Sequence, residues 1–516
     1  MPDCSLVASL TIPPSASGAE LAALPPAVEW LEVRADLLGD LNPDWLRNHF
    51  GGRLLYSLRS RAEGGACPDA NDRRQQRLAA AARLYDRVEL EGLRDNSESL
   101  LARIPAEQRL VSWHGPADDL ATLKARFGQL SSIQSGVYKL VTRAARMSDE
   151  FTALSLLKSL GRSDTIAYSE GPLGFWSRVV TLHLGAPAIF GLVPQGPAIP
   201  TEPSVNKLID DFGLPLLRPP RKLFAIIGDP VFHSLSPRLH NAAYRALDYP
   251  ALFVPLRVES FSEFWHEVVQ AGLFESLGIA FNGMTVASPH KEAALLTTSL
   301  VSPMARRAES ANILVRDDGR WRADTTDPEV IYMARRERNI WMRQRHAAVI
   351  GCGGAGRGIA AALADAGATV MLINRGTERG QHAARLLGLP YTPLPEFDAG
   401  RYDMVINATP VGRDSDEAPF KLETLNREAV VIDLVYGSKP TPLVASTSAR
   451  EQVVIDGRDV LLTQVLRQFR MMTGKTMPAT VAQQILARRA PSSGAADPAQ
   501  SALSAHTFAA SQMPVE

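Results

Sequence analysis

Residues 347–362 read AAVIGCGGAGRGIAAA. A short apolar strand runs into Gly351, Gly353 and Gly356 and then into a run of helix formers. In this G-x-G-x-x-G arrangement the missing side chains let the backbone approach a pyrophosphate seated on a helix N-terminus. Glycine triplets also mark ordinary tight turns. Here, however, a second apolar strand, ATVMLI (368–373), follows the helix and completes a βαβ unit. An NAD-binding unit ends that strand on Asp or Glu for the ribose 2′-hydroxyl. This one ends on Asn374 and Arg375, with Thr377 and Arg379 behind them. Arginine there suits an extra phosphate, so NADP is the expected cofactor; a solvated surface arginine is the plainer alternative.

Three hundred and forty-six residues precede the fingerprint in a chain of 516, a length that suggests about three domains. Hydrophobic residues make up 45% and charged residues 21%, and Lys+Arg and Asp+Glu both total 55. No basic field points to nucleic acid, and no apolar run is long enough to span a membrane. The start, MPDCSLVASLTIPPS, lacks a basic n-region and reads as a strand. Cys4, Cys67 and Cys352 are far apart and odd in number. They are expected to be buried small apolar residues in a reducing cytoplasm, with no disulfide and no metal site.

Upstream, short apolar runs recur at 5–12, 28–34, 53–59, 86–92, 109–115, 137–143, 164–170 and 187–193, with helix-like stretches such as 71–86 and 147–161 between them. Eight strand–helix units in about 200 residues predict a closed (β/α)8 barrel. The beat breaks on the prolines of FGLPLLRPPRK (212–222), and a fresh strand opens at KLFAIIGDP (222–230). The expected fold is α/β: a barrel over 1–215, a linker at 216–221, then a two-domain α/β dehydrogenase. The latter divides into a substrate domain, 222–327 plus 458–490, and a Rossmann-like domain, 328–457. The Ala/Ser/Pro/Gln-rich 491–516 reads as a disordered tail.

Active sites of such barrels lie at the C-terminal strand ends. Those ends carry Glu32, Arg34, Arg59, Glu89, His114, Lys139 and Ser169. Lys139 sits in VYKLV, where desolvation favours the neutral amine that attacks a ketone. His114 ends the preceding strand, placed to take the proton that an imine acidifies on the adjacent carbon. A rim ion pair for the lysine and a local hydrogen bond for the histidine are the alternatives.

Over 4–212 the chain resembles the type I 3-dehydroquinate dehydratases. The resemblance rests on EVRAD (Glu32, Arg34, Asp36), Arg59 with EGG (Glu63–Gly65), SWH (112–114), the Lys139 strand and LGFWSR (Gly174, Ser177, Arg178). It implies Lys139 as the imine-forming residue, His114 as general acid/base oriented by Glu63, and Arg59 and Arg178 on the substrate's carboxylate and hydroxyls. Glu170 stands where relatives carry methionine. The closing loop reads AIPTE (198–202), so Ala198 and Glu202 replace serine and glutamine. Fewer donors and more negative charge there are expected to weaken binding of an anion.

From 222 to 489 the chain resembles shikimate dehydrogenases, on Ser234-x-Ser236, PHK ending in Lys291, ANI with Asn312, DTTD ending in Asp327, NATPVG (407–412), DLVY (433–436) and LLTQ ending in Gln464. The resemblance implies Lys291 and Asp327 as the catalytic pair, and Ser234, Ser236, Asn312 and Gln464 on the substrate. Gly351, Gly353, Gly354, Ala355, Gly356, Asn374, Arg375, Arg379 and Thr409 would hold NADP. Ala287 replaces a hydroxyl-bearing residue and leaves room for a further ring hydroxyl, as in quinate. The expected protein is a monomer or homodimer in which 3-dehydroquinate becomes 3-dehydroshikimate in the barrel and then shikimate in the second half. A quinate/shikimate dehydrogenase with an inactive or ligand-binding barrel is the other reading.

Overall fold

The computed structural model describes residues 4–68, 71–171, 173–195, 202–216, 219–413, 415–437 and 439–487. Ala198, part of the expected linker, the end of the expected substrate domain and the expected tail lie outside the described residues.

The first sheet comprises β1 (Ser5–Leu10), β2 (Val28–Arg34), β3 (Arg53–Ser57), β4 (Arg87–Glu91), β5 (Arg109–Pro116), β6 (Val137–Arg143), β7 (Thr165–Glu170) and β8 (Ala188–Leu192). Its order is β7-β6-β5-β4-β3-β2-β1-β8, and every ladder is parallel. The expected barrel is therefore present, with one departure: among the described residues no ladder joins β7 to β8. The helix Phe175–Val180 and the turn after it take the place of that ladder. On β7, the Ser169 N–H donates to Ser177 Oγ at 3.0 Å and the Ala167 carbonyl accepts from Thr181 Oγ1 at 2.8 Å. On β8, the Phe190 carbonyl accepts from Arg178 Nη1 at 3.0 Å, while the same guanidinium lies 4.7 Å from the Tyr168 ring centroid. Backbone groups on facing strand edges are thus satisfied by side chains, as buried polar groups must be.

The second sheet holds β9 (Lys222–Gly228), β10 (Ala251–Arg257), β11 (Ala280–Val286), β12 (Leu300–Val301), β13 (Ile313–Asp317) and β14 (Arg320–Asp324), in the order β10-β9-β11-β13-β14-β12. The third is all parallel: β15 (His346–Ile350), β16 (Thr369–Asn374), β17 (Tyr391–Pro393), β18 (Met404–Asn407), β19 (Val430–Asp433) and β20 (Val454–Ile455), ordered β17-β16-β15-β18-β19-β20. Strand order reverses between β15 and β18, the switch point where such sheets bind ligands. The fingerprint leaves β15 there, and Thr409 leaves β18.

The barrel and the second sheet share one apolar cluster. Phe175 packs 5.2 Å from Phe232, and Trp176 and Phe151 pack 5.5 and 5.0 Å from Phe274. The third sheet has its own clusters on its two faces. No helix among the described residues is long and apolar enough to cross a membrane. Cys67 and Cys352 are buried as expected, whereas Cys4 is only partly so.

Candidate active sites

Strand alternation turns polar residues of β2–β6 into the barrel. Lys139, the third of seven residues in β6, and Glu89, the third of five in β4, lie inside their strands rather than at the C-terminal ends expected of them. Lys139 is 1% exposed at its side chain, with Nζ 2.6 Å from Glu89 Oε1 and 4.6 Å from the Phe190 ring centroid. Desolvation is the sequence expectation and an ion pair its alternative; the structure shows burial and an ion pair together, so the buried ammonium is matched rather than bare. Burial opposes ionisation of Glu89, but Lys139, His114 and Arg59 hold it well below the usual carboxylate range. Ser57 Oγ lies 2.5 Å from Glu89 Oε2 and 2.8 Å from Glu32 Oε1, and the Ser9 hydroxyl also donates to Glu32.

His114 is buried. Its backbone N–H donates to Glu63 Oε2 at 2.9 Å, and its Nδ1 lies 3.1 Å from the same oxygen. Its Nε2 is buried without a hydrogen-bond partner, a ring nitrogen left uncommitted. Burial, then Arg59 and Lys139, push the imidazole well below its usual range. Burial, then the charge of Glu91, push Glu63 up to about 9. Each shift favours the neutral form of its group.

The loop bearing Arg59 and Glu63 is anchored from below. Arg74 grips both oxygens of Asp95 at 2.8 and 2.6 Å and lies 3.4 Å from Glu91, whose Oε1 accepts the Ser60 N–H at 2.6 Å.

Because Glu63 binds in the folded protein a proton that the unfolded chain releases, stability falls as pH rises from its ordinary 4.5 through about 9. Glu63→Gln should flatten that fall. Thermal midpoints compared between about pH 7 and 9, where His114 no longer contributes, check it. Equal slopes for the two proteins would contradict the assignment.

The expected substrate arginines are distributed differently. Arg178 lies in the β7–β8 seam. Arg34 is committed to Asp36 by two bonds, at 2.9 and 2.8 Å. Arg59 Nη1 lies 3.8 Å from Glu170 Oε2, while its Nε is buried without a partner. Glu202 is partly buried.

In the second half, Lys291 Nζ bridges both oxygens of Asp327 at 2.9 and 2.8 Å. Asp327 is 0% exposed and also accepts from Asn312 Nδ2 and Gln464 Nε2, each at 3.0 Å. Asn312 Oδ1 takes the Thr326 N–H at 2.8 Å, and Gln468 Nε2 holds the Thr326 hydroxyl at 3.0 Å. The aspartate therefore sits in a nest of neutral donors that fixes its orientation toward the ammonium. Lys291, Asp327, Gln464 and Tyr436 line a cavity of about 130 Å³, together with Ala355 of the fingerprint. Ser234 and Ser236 are buried nearby, with Tyr436 hydrogen-bonded to Ser234.

The glycine loop is as tight as its sequence suggests. Gly351 has φ +103°, and a Cβ on Gly356 would fall 1.8 Å from the Gly351 carbonyl oxygen. A Cβ on Gly354 would fall 2.0 Å from Ser310 Oγ, which is buried without a partner. Asn374 Oδ1 accepts the Cys352 N–H at 3.1 Å. Thr409 is held by Asn407 Oδ1 at 2.7 Å and backs Gly351. Gly353 caps the helix Gly354–Asp365, and Arg375 and Arg379 stand exposed at the end of β16. A bare helix N-terminus, a side-chain-free cradle and two cations fit a phosphorylated dinucleotide.

Gly356→Ala should lower stability by about 2–4 kcal/mol, because backbone rather than a mobile side chain must yield. Differential scanning calorimetry checks this; an unchanged melting temperature would exclude the packing described.

Sequence reading left several participants unassigned. Glu89 stands among the strand ends, but nothing in the order of residues joins it to Lys139, fifty positions on. Thr325, Thr326 and Gln468 flank named motif residues. Glu292, next to Lys291, bonds Arg357 and Arg379, contacts of long sequence separation.

Comparison with known families places the type I 3-dehydroquinase profile on residues 10–211 and the shikimate dehydrogenase substrate binding domain on 226–314. A profile described as NADP oxidoreductase coenzyme F420-dependent matches 346–437. The chain is 26% identical to the bifunctional 3-dehydroquinate dehydratase/shikimate dehydrogenase, chloroplastic, of Arabidopsis thaliana, over 89% of this chain and 80% of that protein. It is 36% identical to the shikimate dehydrogenase (NADP(+)) of Xylella fastidiosa strain M12, over 50% of this chain and 92% of that one. Among solved structures, the dehydroquinate dehydratase and shikimate dehydrogenase of S. pombe AroM aligns with TM-score 0.41 and 22% identity, over 95% of this chain and 99% of that one.

Proposed function

We propose, since the chain belongs to the shikimate dehydrogenase family and carries a type I 3-dehydroquinase barrel ahead of it, that it is a bifunctional enzyme. It dehydrates 3-dehydroquinate to 3-dehydroshikimate and reduces that product to shikimate. The division into 1–215, 222–327 with 458–490, and 328–457 belongs to this proposal, as does a cytoplasmic monomer or homodimer.

In the barrel, Lys139 Nζ attacks the substrate ketone, and loss of water leaves an imine. The imine draws electrons from the neighbouring carbon, whose proton passes to His114 Nε2. The hydroxyl one carbon further leaves as water, taking that proton back from the imidazolium, and a second water releases the enone from Lys139. Glu63 orients the imidazole, and Glu89 accepts or returns the protons that the amine exchanges. Arg59, whose charge acts on both His114 and Glu89, is the cation for the substrate carboxylate.

In the second site, Gly351, Gly354 and Gly356 would accommodate the pyrophosphate of NADPH, and Arg375 and Arg379 would take its ribose phosphate. Bound there, it would supply the hydride for the ketone carbon. Lys291 Nζ delivers the proton to the developing alkoxide, and Asp327 holds that ammonium in place. Ser234, Ser236, Asn312 and Gln464 hold the substrate's carboxylate and hydroxyls.

The observation that carries the reading is Lys139, a fully buried amine beside an imidazole whose Nε2 has no other task. Incubating the protein with 3-dehydroquinate and NADPH should yield shikimate and oxidise one NADPH per molecule formed. Accumulation of neither 3-dehydroshikimate nor shikimate would overturn it. The Glu170–Arg59 contact favours the second reading, a barrel that binds without turnover, and the same assay separates the two. Ala287 extends the substrate range to quinate; absence of NADP-dependent quinate oxidation refutes that extension.

A further inference from the structure

Glu292 is the residue after Lys291, in the short helix Lys291–Leu295. Its Oε1 accepts from two arginines of the nucleotide-binding half, Arg357 Nη2 at 2.8 Å and Arg379 Nη2 at 2.9 Å. The two arginines are not alike. Arg357 is 2% exposed and also donates to the carbonyls of Ala308, Cys352 and Glu309, so it is locked in place. Arg379 is 57% exposed and has no other ion pair among the described residues. Its Nη2 lies 4.0 Å from where a Cβ on Gly353 would stand, directly over the glycine loop. Burial opposes ionisation of Glu292, but the two arginines lower it and keep it an anion.

We propose that Glu292 is the counter-ion that Arg379 holds until a ribose phosphate takes the arginine from it. Glu292 thereby sets how strongly the site favours phosphate-bearing nucleotides. The proposal rests on the NADP reading above. An exposed ion pair is weak, so a phosphate offering a bidentate contact can displace the carboxylate. The carboxylate remains behind, tied to Arg357. Competition for Arg379 therefore lowers affinity for the phosphate-bearing ligand and leaves the plain one alone.

The test is calorimetric titration of the full chain with adenosine 2′,5′-bisphosphate and with 5′-AMP. Glu292→Gln keeps an acceptor for Arg357, so the buried arginine retains its partner. The variant should bind the bisphosphate about threefold more tightly and AMP as before. In an Arg379→Ala background the Glu292→Gln substitution should change neither affinity. An equal change for both ligands, no change for the bisphosphate, or an effect that persists without Arg379 overturns the proposal. So does a lower melting temperature with both ligands weakened, which would make Glu292 a structural clamp. If the unaltered protein binds the two ligands equally, the NADP reading itself fails, an outcome separate from these.

Discussion

Lys139→Ala protein should form no borohydride-stable adduct with 3-dehydroquinate and should lose dehydratase turnover by about 10⁴-fold or more. NADPH-dependent reduction of 3-dehydroshikimate should remain, because Lys291 and Asp327 share no contact with Lys139. Removing the amine strips Glu89 of its ion-pair partner, a change that costs about 3–5 kcal/mol in comparable settings. The loss of turnover must therefore be separated from a loss of fold. Lys139→Met combined with Glu89→Gln replaces the ion pair with neutral groups of similar size. That double variant should melt within a few degrees of the unaltered protein and still form no adduct. An adduct on either variant would move the imine to another residue.

Lys291→Ala should lower kcat for 3-dehydroshikimate reduction by about 10²–10⁴-fold. Asp327 keeps its bonds to Asn312 and Gln464, so the fold around it should survive. Nucleotide affinity, measured by quenching of protein fluorescence, should stay within about twofold, since Lys291 is placed to act on the reacting oxygen. Dehydratase activity should be unaffected. A fall in nucleotide affinity as large as the fall in kcat would make Lys291 a binding residue instead.

The order of residues reveals what is local. Eight apolar runs predict the barrel strands because each obeys its own alternation. The glycine loop is recognisable because strand, turn and helix are contiguous. Lys139 and His114 stand out because a charged or imidazole side chain interrupts apolar strands. Pairings across the fold are another matter. Glu89 meets Lys139 through neighbouring barrel strands, and Glu292 meets Arg379 across two sheets. The open β7–β8 seam was likewise hidden. LGFWSR matches a substrate-binding segment, and nothing in its composition says that Ser177, Arg178 and Thr181 would also cap two strand edges. Arg178 thus gives Nη1 to the wall, while its Nε is buried without a partner.

The shared apolar cluster between barrel and second sheet bears on how such a chain can be handled. A cut near residue 216 separates two sequences but not two interiors. Phe175 and Trp176 would be stripped of Phe232 and Phe274, and the helix they belong to is the one that closes the barrel wall. The apolar clusters part more fully further along, between the second and third sheets. A further cluster lines another side of the barrel, so barrel and second sheet are joined through the side that carries Phe175 and Trp176.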